Sequence, residues 1–149
     1  MIFFREGVLP VEFHTIEIEA VADPWQVDAF ACDDLHIGVS GEESGLAVCF
    51  AYGSVIADEA ELLRIATLPA YRSRGLGHEI LSRFLRQAAT RGASVVFLEV
   101  ELDNTKARRL YERMGFATTY VRNNYYGPGR HAAMMRRELK FPASQGGIS

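Results

Sequence analysis

The sequence predicts an α+β fold, with a central, mostly antiparallel sheet that contains one parallel pair of strands and is flanked by helices. Two strand-like runs in the first half are joined by a glycine-containing turn, a strongly periodic helix lies between two further runs, and two more runs follow. With 149 residues and 48% hydrophobic content, the chain is long enough to bury one core. We expect a single domain over residues 1–142 and a disordered tail over residues 143–149.

The first half is expected to begin with helices and to continue as an antiparallel meander. Residues 8–36 have a helical pattern that is broken at Asp23-Pro24-Trp25, because proline cannot continue a helix and aspartate can cap the next one. The polar segment 41–45 has a glycine at each end and is predicted to be a hairpin turn. The predicted strands span residues 37–40, 46–56 and 61–68, and the last of them ends before Pro69.

The second half is predicted to contain a strand, helix, strand crossover followed by a shorter helix and two closing strands. A helix begins at Leu76, and Gly92 is placed to end it. Residues 95–100 are apolar until Glu99 and are expected to form a strand covered on both faces. Asn104 is expected to cap a second helix that ends at Gly115, and residues 116–121 and 132–139 complete the sheet. The apolar face of the first helix consists of Leu76, Ile80, Leu81, Phe84, Leu85 and Ala88.

Charge is divided unevenly along the chain. Before Arg64 one basic residue stands against thirteen acidic ones, and from Arg64 onward fifteen stand against six, so the two parts carry −12 and +9. This polarity favours an anionic ligand in the second part and a cationic one near the first, although a solvated surface would also have this composition. Nucleic-acid binding is not expected, because the basic residues form no dense run with interleaved aromatic residues.

Several classes of protein are excluded on composition. No segment approaches the ~20 apolar residues of a membrane span, and Arg5 and Glu6 interrupt the beginning of the chain before a signal peptide's apolar region could form. We therefore expect a cytoplasmic protein that makes no membrane contact. Cys32 and Cys49 form no CxxC pair and have no metal-ligand spacing to the four histidines, so neither a disulfide framework nor a metal site is expected.

The segment Arg72-Ser73-Arg74-Gly75-Leu76-Gly77 predicts a phosphate site. Its glycines lie between a strand and a strong helix, where the backbone can turn tightly and direct free amides and the positive end of the helix at an anion. A helix-entry turn without a ligand is the alternative. The dinucleotide fingerprint would need a third glycine where Ile80 stands, and the Gly-Lys-Ser/Thr ending of a P-loop is also missing.

The same segment resembles the diphosphate loop of the GNAT family of N-acetyltransferases, which reads Gln/Arg-x-x-Gly-x-Gly/Ala. Within that family the chain is most similar to the type that acetylates the N-terminal alanine of a ribosomal protein, through Phe97-Leu98-Glu99-Val100, Leu110-Tyr111-Glu112, Gly115-Phe116 and Arg122-Asn123-Asn124-Tyr125-Tyr126. The likeness covers roughly residues 9–139. It implies the GNAT fold and acetyl-CoA as co-substrate without a metal. The residues that would hold acetyl-CoA are Ile65, Ala66, Thr67, Arg72, Ser73, Arg74, Gly75, Leu76, Gly77, His78 and Asn104.

The resemblance also implies catalytic roles for Glu99 as general base and Tyr111 as general acid. Glu99 interrupts an otherwise apolar strand, so burial is expected to raise its pKa toward the range of a useful base; a carboxylate capping a strand end is the alternative. Tyr111 lies on the apolar face of its helix, where a plain core position is the alternative. Glu61 is the rival base, because some members of the family place their glutamate on the strand before the diphosphate loop.

The acceptor implied by the resemblance is a primary amine, first of all the N-terminal α-amino group of a protein such as a ribosomal protein. Trp25, Tyr125 and Tyr126 would hold it, although the two tyrosines could instead only cover the sheet edge. One departure weakens this assignment: where relatives have an acidic residue followed by Asp-Ala, this chain has Arg130-His131-Ala132-Ala133. A small-molecule amine acetyltransferase and a non-catalytic acyl-CoA-binding module remain alternatives, and the protein is expected to be a monomer or a homodimer.

Overall fold

The computed structural model describes residues 1–6, residue 16 and residues 33–139. The predicted helix pair, including Pro24 and Trp25, falls almost wholly outside the described residues, as does the tail over residues 143–149. The strands are β1 (Phe3–Glu6), β2 (His36–Glu43), β3 (Leu46–Ile56), β4 (Glu59–Thr67), β5 (Val95–Glu101), β6 (Ala117–Gly127) and β7 (Arg130–Glu138). The helices are α1 (Leu76–Thr90) and α2 (Thr105–Arg113), and a short 3-10 turn spans Pro69–Tyr71.

The strands form one seven-stranded sheet in the order β1-β2-β3-β4-β5-β7-β6. All neighbouring pairs are antiparallel except β4 and β5, which are parallel. The crossover from β4 through α1 to β5 creates this parallel pair, because a helix must carry the chain back to the edge where β4 began. The predicted α+β architecture, with one parallel pair in a mostly antiparallel sheet, is confirmed.

The parallel pair is short, and the two strands part beyond it. Only Glu59–Glu61 of β4 pair with Val95–Phe97 of β5. Just past Glu61 the register between β3 and β4 shifts, since Tyr52 pairs with Arg64 but Gly53 pairs with Leu62. Such a bulge bends the strand that carries the extra residue. A gap therefore opens between the second halves of β4 and β5.

Helix α1 has the extent and the buried face that the sequence predicts. The six apolar residues at helical spacing are all buried, and they pack against β2, β3 and β4. The helix starts after Gly75, whose φ of 78° is in the left-handed region, and the chain leaves it through Gly92 at φ 98°. The predicted cap of α2 is also confirmed, because the Asn104 side chain accepts a hydrogen bond from the amide of Ala107 at 3.2 Å.

Three local predictions are wrong. Residues 33–35 form a turn and His36 begins β2, so the helical pattern does not extend to residue 36. The hairpin turn is Ser44-Gly45 rather than all of residues 41–45, because β2 continues through Glu43 and pairs with β3 to its end. Strand β5 is not covered on both faces: Val96, Leu98 and Val100 are buried, whereas Phe97 on the other face is 36% exposed.

The two edges of the sheet also differ from the sequence prediction. Strand β1 has no counterpart in the prediction, because four residues are too few for a visible alternation. Strand β6 continues to Gly127, six residues beyond the predicted end, so Tyr125 and Tyr126 lie within the strand rather than in a connecting loop. The reason is a large irregularity in the register: Arg122 pairs with Ala132, but Gly127 pairs with Arg130. Residues 123–126 therefore oppose the single residue His131.

No helix among the described residues is long and apolar enough to cross a bilayer. In the same part of the chain, no group of three or more histidine, cysteine or acidic side chains is arranged to hold a metal ion.

Candidate active site

A cavity of about 530 Å³ lies between the end of β4, the start of α1 and one face of α2. It contains every residue of the predicted cofactor set except Arg74. Its walls are Ile65, Ala66, Thr67, Tyr71, Arg72, Ser73, Gly75, Leu76, Gly77, His78, Val100, Asn104, Lys106, Ala107, Leu110, Tyr111 and Arg113.

The floor of the cavity at the start of α1 is suited to a phosphate group. Ser73 and Gly75 both have left-handed φ values, 64° and 78°, which turn the chain sharply into the helix. No side chain in the described residues caps the amides of the first turn, so they are available to an anion together with the positive end of the helix dipole. At Gly77 an added Cβ would lie 3.3 Å from Leu110 Cδ2, so glycine keeps the opposite wall clear. The residues present therefore fit a diphosphate.

The two arginines of the loop occupy different places. Arg72 lines the cavity, and its Nε donates to the carbonyl of Thr67 at 3.2 Å. Arg74 lies outside the lining: its Nη2 donates to the carbonyl of Ala70 at 3.3 Å, and its guanidinium lies 4.8 Å from the centre of the Tyr71 ring. The Tyr71 hydroxyl in turn donates to Glu43 at 2.8 Å. This chain of contacts braces the loop against β2.

A second, smaller cavity of about 150 Å³ occupies the gap between β4 and β5. Its lining consists of Leu62, Leu63, Arg64, Ile65, Leu98, Glu99 and Tyr111. Ile65 and Tyr111 also line the larger cavity. The two cavities therefore meet at these two side chains, and Glu99 lies in the smaller one.

Tyr111 is buried beneath this junction. Its ring packs edge-on against Phe116 at 6.0 Å between centroids, and the side chain is only 6% exposed. Burial, and to a lesser extent the nearby Tyr126, raises the pKa of the Tyr111 hydroxyl to about 12. A hydroxyl with such a pKa stays protonated at neutral pH and can act as a proton donor.

The two candidate bases are near each other but differ in surroundings. Glu99 is half-buried, and it points away from the core because its neighbours Leu98 and Val100 point into it. Glu61 lines neither cavity and is exposed. The Glu61 residue as a whole is exposed, but its carboxyl group is partly shielded from solvent. This shielding and, after it, the negative charge of Glu99 raise the pKa of Glu61. The charge of Glu99 is therefore felt at Glu61. Of the two carboxylates, only Glu99 lines a cavity together with Tyr111.

Tyr125 and Tyr126 lie in the irregular part of β6, opposite His131. Their rings contact each other edge-on at 5.1 Å. Tyr125 is 45% exposed, whereas Tyr126 is half-buried, and burial followed by the charge of Glu99 raises the pKa of its hydroxyl to about 12. Tyr126 is thus brought to the carboxylate of Glu99. Trp25, the third predicted acceptor residue, lies outside the described part of the chain.

Several site residues escaped the sequence prediction. Lys106, Ala107, Leu110 and Arg113 line the larger cavity and recur at helical spacing along α2, a signal that could have found them once Asn104 was placed at the cap. Tyr71 and Val100 carry no comparable signal. The ion pair between Glu101 and Arg130 joins positions 29 residues apart, which no local pattern connects.

The chain is similar in sequence to known acetyltransferases. The family model described as "Acetyltransferase (GNAT) family" matches residues 9–116. The ribosomal protein bS18-alanine N-acetyltransferase of Escherichia coli K12 is 36% identical over 120 residues, which cover 79% of this chain and 80% of that protein. The same-named protein of Haemophilus influenzae is 32% identical over 115 residues, 76% of this chain and 78% of its own length.

Solved structures agree with these matches. The crystal structure of the ribosomal-protein-S18-alanine N-acetyltransferase from E. coli superimposes with a TM-score of 0.84 at 28% identity, covering 98% of this chain and 100% of that one. The structure of yncA from Salmonella typhimurium, solved with its cofactor acetyl-CoA, gives a TM-score of 0.75 over 99% of both chains at 17% identity, which shows a shared fold.

Proposed function

The chain belongs to the GNAT family of acetyltransferases, and from this premise we propose that it transfers the acetyl group of acetyl-CoA to the N-terminal α-amino group of a protein, with a ribosomal protein as the acceptor. It is an N-acetyltransferase, as its relatives are. The proposal concerns the acceptor, the residues that bind each substrate and the residues that carry the chemistry. The observation that carries it is the meeting of two cavities at Ile65 and Tyr111, with Glu99 in the smaller one.

The larger cavity is assigned to acetyl-CoA. Amides at the start of α1, with Arg72 on the wall, would hold the diphosphate, and Lys106 and Arg113 add positive charge along α2. Beyond Glu61 the edge of β4 no longer pairs with β5, and no other strand of the described residues pairs with it there; an extended ligand could align its amides along this edge in the manner of an added strand. This route leads from the loop past Thr67 and Ala66 to Ile65, where the thioester would lie.

Chemistry at the junction needs a base for the amine and an acid for the thiol. Glu99 would accept a proton from the ammonium group, directly or through a water molecule, so that the neutral nitrogen forms a bond to the acetyl carbon. As the carbon–sulfur bond breaks, the Tyr111 hydroxyl would donate its proton to the sulfur. Its pKa of about 12 keeps that proton in place until the thiolate forms. The nitrogen loses its second proton as the amide forms, and this proton, directly or through water, restores the Tyr111 hydroxyl, while the Glu99 proton leaves to solvent.

A protein N-terminus suits this modest machinery better than a lysine does. An α-amino group has a pKa of ~7.7 to 8.0 and a lysine ~10.4, so near pH 7.5 about a third of the former is neutral against about one part in a thousand of the latter. The relatives named above act on an N-terminal alanine. Tyr126, which lies near Glu99, and Tyr125, whose ring contacts that of Tyr126, are assigned to hold the first residues of the acceptor.

The decisive test is an acetyl-CoA consumption assay on three kinds of acceptor. An Ala-Arg-initiated peptide is compared with the same peptide blocked at its N-terminus and with a panel of small amines. We expect turnover of the free peptide, none of the blocked one, and at least about a hundredfold lower kcat/KM for the amines. Mass spectrometry of the product locates the acetyl group on the α-nitrogen.

Two other outcomes of this assay would contradict the proposal. Turnover of small amines alone would make the protein a small-molecule acetyltransferase, which the loss of acidic residues in the segment Arg130-His131-Ala132-Ala133 would then explain. Acetyl-CoA binding without turnover of any acceptor would make it a binding module, in which case Tyr111→Phe would leave all measured properties unchanged.

A further inference from the structure

An ion pair with two hydrogen bonds joins the turn end of the β6–β7 hairpin to the end of β5. Arg130 Nε donates to Glu101 Oε2 at 3.0 Å, and Nη2 donates to Oε1 at 2.9 Å. The bond with Arg130 lowers the pKa of Glu101, so the pair is charged at neutral pH. A guanidinium that binds both oxygens of a carboxylate restricts the orientation of both groups. The pair therefore ties the turn end of the hairpin to β5, beyond Ala132, where the ladder between β5 and β7 ends.

The ion pair lies next to the acceptor tyrosine. The Arg130 guanidinium is 5.8 Å from the centre of the Tyr126 ring. The charge of Glu101 also raises the pKa of the Tyr126 hydroxyl, although less than burial, Glu99 and Tyr125 do. Tyr126 is in turn the residue of the hairpin that lies near both Glu99 and Tyr111. A continuous set of contacts thus runs from Glu101 through Arg130 to Tyr126 and the catalytic carboxylate.

The irregular segment of β6, residues 123–126, is also held by contacts of Asn124. Its backbone is in the left-handed region at φ 57°, its amide donates to His131 Nδ1 at 2.9 Å, and its Oδ1 accepts from the amide of Gly129 at 2.7 Å. Asn124 therefore holds residues 123–126 through hydrogen bonds to His131 and Gly129. Arg130, which Glu101 holds, contacts the same segment at Tyr126.

We propose that Glu101 and Arg130 form a clamp that positions Tyr126 beside Glu99 and thereby sets the enzyme's efficiency toward the acceptor. Both are positioning residues, since they act through Tyr126. The proposal deepens the proposed function and rests on it. Because the pair is largely exposed, with side chains 33% and 52% accessible, its effect on overall stability is small, and its contribution lies in geometry.

The test compares Glu101→Gln, Arg130→Gln and the charge-swapped double variant E101R/R130E with the unmodified enzyme. Each single variant is expected to lower kcat/KM for the acceptor by about tenfold, to leave KM for acetyl-CoA within about twofold, and to retain its melting temperature. The swapped pair is expected to recover most of the loss. Arg136→Gln is the matched control, because it breaks an exposed ion pair with Glu138 on the same strand and is expected to change none of these values.

A double-mutant cycle shows whether the clamp works through the tyrosine. Arg130→Gln is expected to have no further effect once Tyr126→Ala is present, because the two changes remove the same interaction. Additive losses, or parallel losses for both substrates together with a lower melting temperature, overturn the clamp. If the unmodified enzyme acetylates small amines only, the proposed function fails, and the same cycle measured with the best amine still decides for or against the clamp.

Discussion

The two halves of the active site are built in different ways. The cavity assigned to acetyl-CoA is lined largely by residues between Ile65 and His78, where backbone amides and glycines would provide the binding groups. The proposed acceptor side consists of side chains from separate elements: Glu99 from β5, Tyr111 from α2, and Tyr126 from β6. One half is a local property of the chain, and the other exists only when the sheet is assembled.

This difference determines which changes each half tolerates. Backbone amides cannot be removed by substitution, so the donor half is vulnerable mainly to added bulk or charge. The acceptor half depends on the side chains of Glu99, Tyr111 and Tyr126, and of these only Tyr111 also lines the cavity assigned to acetyl-CoA. Variants should therefore separate cleanly into those that alter donor binding and those that alter the acceptor or the chemistry.

The largest effect is expected for Gly77→Asp in the donor half. A carboxylate about 4 Å from a phosphate charge costs about 4 kcal/mol at an effective dielectric of about 20, equivalent to about a thousandfold weaker binding. The thermal stabilisation by acetyl-CoA should disappear. Gly77→Ala is the control, because its Cβ meets only the flexible Leu110 side chain at 3.3 Å, and it should keep most of the stabilisation. An undiminished shift in the aspartate variant would rule out the loop assignment.

Tyr111→Phe should lower kcat by about a hundredfold while the dissociation constant of acetyl-CoA holds. The ring and its packing on Phe116 are retained, and only the proton donor is lost. Steady-state kinetics with the peptide acceptor, together with calorimetric titration of acetyl-CoA, measure the two quantities. Tyr120→Phe, at an edge position that is 50% exposed, is the matched control. Equal turnover by both variants would assign Tyr111 to the core alone.

Glu99→Gln should likewise lower kcat, by about tenfold to a hundredfold, with unchanged binding of acetyl-CoA. Glu61→Gln should change kcat less than about threefold, because Glu61 lines neither cavity. Measuring kcat for both variants with the same peptide acceptor, together with calorimetric titration of acetyl-CoA, distinguishes them. If only Glu61→Gln has this effect, the base has been misassigned.

The smallest effect concerns stability and belongs to the pair of carboxylates. Because the folded state raises the pKa of Glu61, its ionised form is less favourable there than in the unfolded chain, whose pKa is ~4.3. Ionised Glu61 therefore lowers the free energy of unfolding above its folded pKa, and this penalty vanishes once the pH falls below the unfolded value.

Glu61→Gln should accordingly raise the melting temperature by about 1 to 3 °C at pH 7 to 8 and leave it unchanged below about pH 4. Differential scanning calorimetry across this range is the measurement. Glu59→Gln, two residues earlier on the same strand, controls for the loss of one exposed negative charge. A constant difference at every pH would mean that a hydrogen bond of the new amide, rather than ionisation, is responsible.

Sequence-based prediction succeeded where the signal is local. Helix α1 combines six apolar residues at one spacing with a glycine at each end, so its position and its buried face follow from the chain itself. The glycine loop before α1 is recognisable for the same reason, and its role in binding a diphosphate stays a prediction. Neither prediction needs knowledge of which strands become neighbours.

The remaining features depend on pairing between distant residues. The irregularity that brings Tyr126 to Glu99 arises because four residues of β6 oppose one residue of β7, and the ion pair of Glu101 with Arg130 crosses from β5 to β7. Register between strands is set by the assembled sheet, so neither feature leaves a periodic trace. The end of β2 was misjudged for a related reason: its last residues are polar, yet pairing with β3 keeps them in the strand.

The bulge between β3 and β4 places an unusual demand on a residue outside both cavities. A Cβ at Gly53 would lie 2.0 Å from the carbonyl oxygen of Glu61 and 2.7 Å from the ring of Phe84, so even alanine would force the start of the gap to move. The absence of a Cβ at Gly53 therefore lets β3 and β4 approach closely at the bulge, where the gap between β4 and β5 begins. A substitution there would have to displace the backbone of β4, the strand that contributes lining residues to both cavities.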